Sequence, residues 1–149
     1  MRFDQAKFIA RDVEALASFY EDALDCERVV PTQDLTDGVV ARAVGVPGAN
    51  LKLSVLRLPG HGEHGPVLEI YSVSGGEPVP DWHYEPGQGQ LAFEVEDLES
   101  SVGRVIAAGG SSLGEVVRWK GPSGTEARFV YLRDPEGNII DLWAKADQT

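Results

Sequence analysis

Two carboxylates stand where apolar residues are expected. In "VLEIYSV" Glu69 lies between Leu68 and Ile70, and in "NIIDLWA" Asp141 lies between Ile140 and Leu142. A carboxylate on a half-buried strand must be solvated, paired or bound to a cation, because burying it alone is far too costly. Strand alternation puts Val67, Glu69 and Tyr71 on one face, and Ile139, Asp141 and Trp143 on another. Brought together, two such acids can share a proton, which raises one pKa and supplies a general base. Tyr71 and Trp143 flank them as candidate substrate contacts, although a strand Trp also serves packing alone.

Other reactive side chains have plainer readings. "GHGEHGP" places His61 and His64 in a Gly-rich loop with no helix to fix the pair, so it reads as solvated, with a lid as the functional alternative. His83, in "DWHYEPG", reads as solvent-facing. Cys26 lacks a partner base and reads as an unreactive thiol. Phe19 and Tyr20 fall at helical spacing and read as core. Arg118, Lys120, Arg128, Arg133 and Trp119 could each touch a ligand, but no spacing singles one out, so surface pairing and packing are the default.

The chain that positions these residues has 149 of them, 42% apolar and 25% charged, which is the composition of one globular domain. The net charge is −11 with no basic patch, which disfavours nucleic acid. No apolar run is long enough for a membrane span, and "MRFDQAKFIARD" does not resemble a secretory signal. A single cysteine permits no intrachain disulfide and fits a reducing cytosol, so a cytoplasmic location is expected.

The order of elements repeats. "QAKFIARDVE" from Gln5 aligns with "QLAFEVEDLE" from Gln90 at a constant offset of 85. Both read as a strand that turns into a helix capped by Asp12 or Asp97. Val13, Leu16, Phe19, Tyr20, Ala23 and Leu24 recur at helical spacing in the first copy; Leu98, Val102, Val105 and Ile106 do so in the second, which Gly109-Gly110 ends. Strand-like runs follow each helix: "ERVV", "VVARAVGV", "LKLSVLRL" and "VLEIYSV", then "SLGEVVRW", "EARFVYLRD" and "NIIDLWA". "DPEGN" reads as a hairpin turn. The expected organisation is α+β: a first module over residues 1–75, a Gly/Pro-rich linker over 76–88 and a second module over 89–149.

The stretches "FIARDVEALASFYEDALDCE", "GPVLEIYSV", "GQGQLAFEVEDLESSVGRVIAAGG" and "VYLRDPEGNIIDLWA" resemble the vicinal oxygen chelate superfamily, which includes glyoxalase I, bleomycin-resistance proteins and extradiol dioxygenases. The resemblance implies a single domain of two βαβββ modules forming a cupped mixed sheet around a small-molecule site. It implies metal ligands at Gln5, Glu69, Gln90 and Asp141, with Glu69 and Asp141 also catalytic, and a divalent cofactor such as Mg²⁺, Mn²⁺, Ni²⁺ or Zn²⁺. Two amides and two carboxylates suit Mg²⁺ or Mn²⁺, or Ca²⁺ in a looser cage, better than Zn²⁺ or Ni²⁺. With no His at a ligand position, an extradiol iron centre is disfavoured. Two functions follow: a lyase or isomerase acting by proton transfer next to a carbonyl, or a metal-free protein that sequesters a cationic or aromatic ligand. The resemblance also implies a homodimer, while a linker of about fifteen residues equally allows pairing within one chain.

Overall fold

The computed structural model describes residues 5–35, 48–76, 90–120 and 126–145, with the backbone alone at Gln90, Trp119 and Lys120. The run "VVARAVGV" from Val39, His83 and most of the linker lie outside the described residues. The first half runs β1 (Gln5–Ile9), α1 (Val13–Leu24), β2 (Glu27–Leu35), β3 (Ala49–Arg57) and β4 (Val67–Gly75). Its sheet has the order β1-β4-β3-β2, with β1 parallel to β4 and the other pairs antiparallel. The second half runs β5 (Gln90–Glu94), α2 (Leu98–Ala107), β6 (Ser111–Ser112), β7 (Val117–Lys120), β8 (Glu126–Arg133) and β9 (Ile139–Lys145). Here β5 lies parallel to β9, β9 pairs β8, and β6 and β7 both pair with β8. The run read as one strand over "SLGEVVRW" is therefore two short ones. The amides of Leu113 and Gly114 both turn to the Tyr131 carbonyl, which interrupts the ladder.

Helix boundaries follow local chemistry. Asp12 accepts from the Ala15 amide at 3.0 Å, and Asp97 accepts from the Ser100 amide at 2.9 Å, so each helix starts on a capping carboxylate. Gly109, at φ 97°, reverses the chain after α2. Gly110 then lies so close to Val105 and the Arg133 carbonyl that a Cβ would meet them at 2.6 and 2.8 Å.

One core serves both halves. Phe8, Leu16, Tyr20, Leu68 and Ile70 from the first belong to the same buried cluster as Leu98, Val105, Leu132, Ile140 and Leu142 from the second. The helices pack on each other and on their own sheets, so among the described residues no helix covers the opposite face of either sheet, its open face. A large aliphatic or aromatic side chain fully buried in this way contributes about 1.5–3 kcal/mol.

The turn after β8 fastens the second half to α1. Asp134, buried, accepts from the Glu136 and Asn138 amides at 2.9 Å, from Asn138 Nδ2 at 2.7 Å and from the Tyr20 hydroxyl at 3.0 Å. Glu136 accepts from the Arg11 amide at 2.8 Å, the Asp12 amide at 3.1 Å and Arg11 Nη1 at 2.8 Å. Arg104 of α2 adds a fork onto Asp25 at 2.6 and 2.8 Å. The halves thus meet within one chain.

Candidate functional site

Alternation along β4 and β9 sorts the side chains into two sets. Leu68 and Ile70, and Ile140, Leu142 and Ala144, are buried against the helices. Glu69 and Tyr71, and Asp141 and Trp143, are half-buried on the open faces. Gln5 is half-buried on β1 in register with Val67. Gln90 is in register with Ile139 on β5, and only its backbone is described.

The two acids have different surroundings. Parallel register sets Lys7 beside Glu69, and its ammonium donates to Glu69 Oε1 at 2.8 Å. The same nitrogen lies 5.9 Å from the Tyr71 ring centroid. Burial raises the Tyr71 phenol above its ordinary range, the Lys7 charge works against this, and the Glu69 charge adds to it.

In the second half the residue beside the acid is Ala92, which offers no donor. Asp141 Oδ1 is fully buried and has no hydrogen-bond partner among the described residues, although the side chain as a whole is only half-buried. Burial alone pushes its carboxyl above the ordinary aspartate value of 3.8. Tyr131 stands in register on the other side, and Phe129 beside Trp143. The Phe129 and Tyr131 rings meet edge to face at 5.8 Å, and Tyr131 is 39% exposed. Asp141 therefore sits among three aromatic side chains. A cavity of about 760 Å³ lies between Pro59, Gly60 and His61 of the loop after β3 and residues 92–96 in and just after β5, with Lys145 in its lining and Asp141 outside it. Ala92 is part of its wall, so a first-half loop and a second-half strand bound one space.

Residues 3–143 match the model of the glyoxalase-like domain family. The chain belongs to that family. This glyoxalase-like domain resembles several solved structures in fold. A glyoxalase family protein from Bacillus cereus superposes with a TM-score of 0.75 at 19% identity, covering 99% of this chain and 95% of that one. A glyoxalase/bleomycin resistance protein/dioxygenase superfamily member from Sphaerobacter thermophilus gives 0.61 at 17% identity, with 97% and 98% covered. A glyoxalase/bleomycin resistance protein from Albidiferax ferrireducens gives 0.54 at 18% identity, with 96% and 98% covered. No curated protein matches the chain significantly in sequence.

At Glu69 the described side chains do not suit the divalent ion that the family resemblance implies. Glu69 is occupied by an ammonium, and among the described residues no group of three or more His, Cys, Asp or Glu is arranged to hold a metal. His61 and His64 are exposed, and His61 lines the cavity. Burial pushes the Cys26 thiol up to about 12, which leaves it protonated and unreactive. Arg128 pairs with Glu99, and Arg133 donates to the Gly137 carbonyl at 3.0 Å. Among the described residues no helix is long and apolar enough to cross a membrane.

Sequence reasoning missed Lys7, Ala92, Phe129 and Tyr131. For the first two a signal existed. The offset of 85 that aligns Gln5 with Gln90 also aligns Lys7 with Ala92, one strand position from each acid. The aromatic pair follows from β8 register, which one strand's pattern does not reveal.

Proposed function

We propose that this glyoxalase-like domain binds a small cationic or aromatic organic ligand on the open face of its second sheet, independently of a divalent ion. Asp141 anchors the ligand. The observation that carries the reading is the buried Oδ1, which has no partner among the described residues. That acceptor is left unsatisfied among the described residues, at a cost of about 1–3 kcal/mol, and rotation of the half-buried carboxyl toward the open face would let a ligand N–H or ammonium satisfy it. Trp143, Tyr131 and Phe129 supply flat apolar area on either side. The charge of −11 favours approach of a cation.

Asp141→Asn tests this against a library of small aromatic amines and amidines, screened by tryptophan fluorescence and ligand-observed NMR in chelator-containing buffer. Compounds that bind the wild-type protein should bind the variant at least about tenfold more weakly, as expected for a charge-assisted hydrogen bond. The variant should also be more stable at pH 7 by about 1 kcal/mol, because an amide is cheaper to bury than a carboxylate. Equal affinity for both proteins, or a less stable variant, would overturn the assignment.

The raised Asp141 carboxyl favours a second reading, proton transfer next to a carbonyl with Asp141 as base. Turnover of a hemithioacetal, or deuterium uptake at the carbon next to the carbonyl, lost in Asp141→Asn, would select it. Absence of both would leave binding alone.

A further inference from the structure

We infer that Lys7 is a resident cation that excludes divalent metal from the first half of the open face. The inference rests on the metal-independent reading above and adds the residue that enforces it. Glu69 is the one carboxylate in the first half at a position where the resemblance places a metal ligand. Its Oε1 receives the Lys7 ammonium at 2.8 Å, close to the distance expected for a charge-assisted hydrogen bond. An ion bound to that oxygen would stand within a few ångströms of a like charge, or would have to expel the lysine.

Three features hold the ammonium there. Lys7 and Glu69 are register partners on parallel strands, so their Cβ atoms rise side by side from one face. The Glu69 side chain is 19% exposed, which strengthens its end of the pairing, while the Lys7 side chain is 49% exposed and keeps its ammonium partly solvated. The Tyr71 ring presents its face to the same nitrogen at 5.9 Å. In the second half Ala92 occupies the matching position and carries no charge, and Asp141 Oδ1 has no hydrogen-bond partner among the described residues. One copy of the repeat therefore carries its own cation, and the other leaves an acceptor for a ligand.

Titration of the full chain with Mn²⁺, followed by the loss of the free-ion electron paramagnetic resonance signal, tests the inference without reference to activity. Lys7→Met should bind Mn²⁺ at least about tenfold more tightly than wild type, because removing a unit charge within a few ångströms of a divalent ion has an effect of at least that size. Lys7→Gln, which keeps a polar side chain on the strand, should show the same gain if the methionine variant does not fold. Lys7→Arg should stay at the wild-type level. Lys7→Met combined with Glu69→Gln should lose the gain. Wild-type binding as tight as that of Lys7→Met, or no gain in either neutral variant, would overturn the role of Lys7. Either result would leave the amine screen on Asp141 standing, since that screen runs in chelator.

Discussion

Replacing Tyr20 by Phe removes one oxygen from the join between the two halves. The ring would keep its edge-to-face contacts with Phe8 at 6.0 Å and Phe19 at 5.3 Å, so packing is preserved. What is lost is the hydroxyl that donates to Asp134 at 3.0 Å, in a place where neither residue meets solvent. The Asp134 carboxylate has four donors among the described residues, and both it and Tyr20 are buried. A hydrogen bond to a charged group contributes about 1.5–3 kcal/mol, and most of that should be lost here. For a chain of this size each kcal/mol moves the melting temperature by about 2–4 °C, so Tyr20→Phe should melt about 3–12 °C lower.

The loss should depend on pH in a defined direction. Burial lifts the Asp134 carboxyl above 3.8, against the pull of the hydrogen bonds from Asn138, Tyr20 and Glu136. A carboxyl raised on folding contributes stability that is complete below its unfolded pKa and is lost as pH rises through the folded one. The ionised form is the one that needs the hydroxyl. The Tyr20→Phe deficit should therefore be largest at neutral pH and shrink as the solution is acidified through the raised value. Urea unfolding followed by circular dichroism at several pH values measures both quantities, and a double-mutant cycle with Asp134→Asn isolates the pair. A deficit below about 0.5 kcal/mol at pH 7, within the range of surface substitutions, would refute the view that this contact joins the halves.

Three further outcomes are expected. The Asp25 carboxyl is held below 3.8 by its hydrogen bonds from Arg104, and Glu14 below 4.5 by the Thr32 hydroxyl and then Arg28. Their stabilisation should therefore be present above those values and be lost as pH falls through the lowered ones; Arg104→Ala should flatten this acid limb while costing no more than about 1 kcal/mol at pH 7, since the pair is exposed. Gly110→Ala should destabilise by about 1–3 kcal/mol in thermal melts, because its methyl would press on Val105 and on the Arg133 backbone. Cys26, buried and with its thiol pushed up to about 12, should resist iodoacetamide in the native protein at pH 8 and react once unfolded in urea.

Periodicity and capping made most of the fold legible. Asp12 and Asp97 cap their helices, Gly109 ends the second, and the apolar positions of α1 are buried, because these features depend on neighbours within one or two turns. The long β2 was harder to read. Pro31 interrupts its pattern, and the strand continues to Leu35 through register shifts against β3. The site was legible at its acids and illegible around them. Glu69 and Asp141 are conspicuous among apolar neighbours, but Lys7 and Ala92 make the two acids differ, and both belong to other strands. "RDPEGN" reads locally as a turn, and nothing within it reveals that Asp134 and Glu136 grip a helix more than a hundred residues upstream.

The Tyr20–Asp134 contact joins positions 114 apart. During synthesis the first helix leaves the ribosome long before the acid that receives its tyrosine hydroxyl has been made. Until then its buried face has only half of its eventual partners, and the nascent chain must carry it unfinished. Completion of the fold thus waits for the last strands of the second half, and a message truncated before them would yield a product with no means of closing its interior.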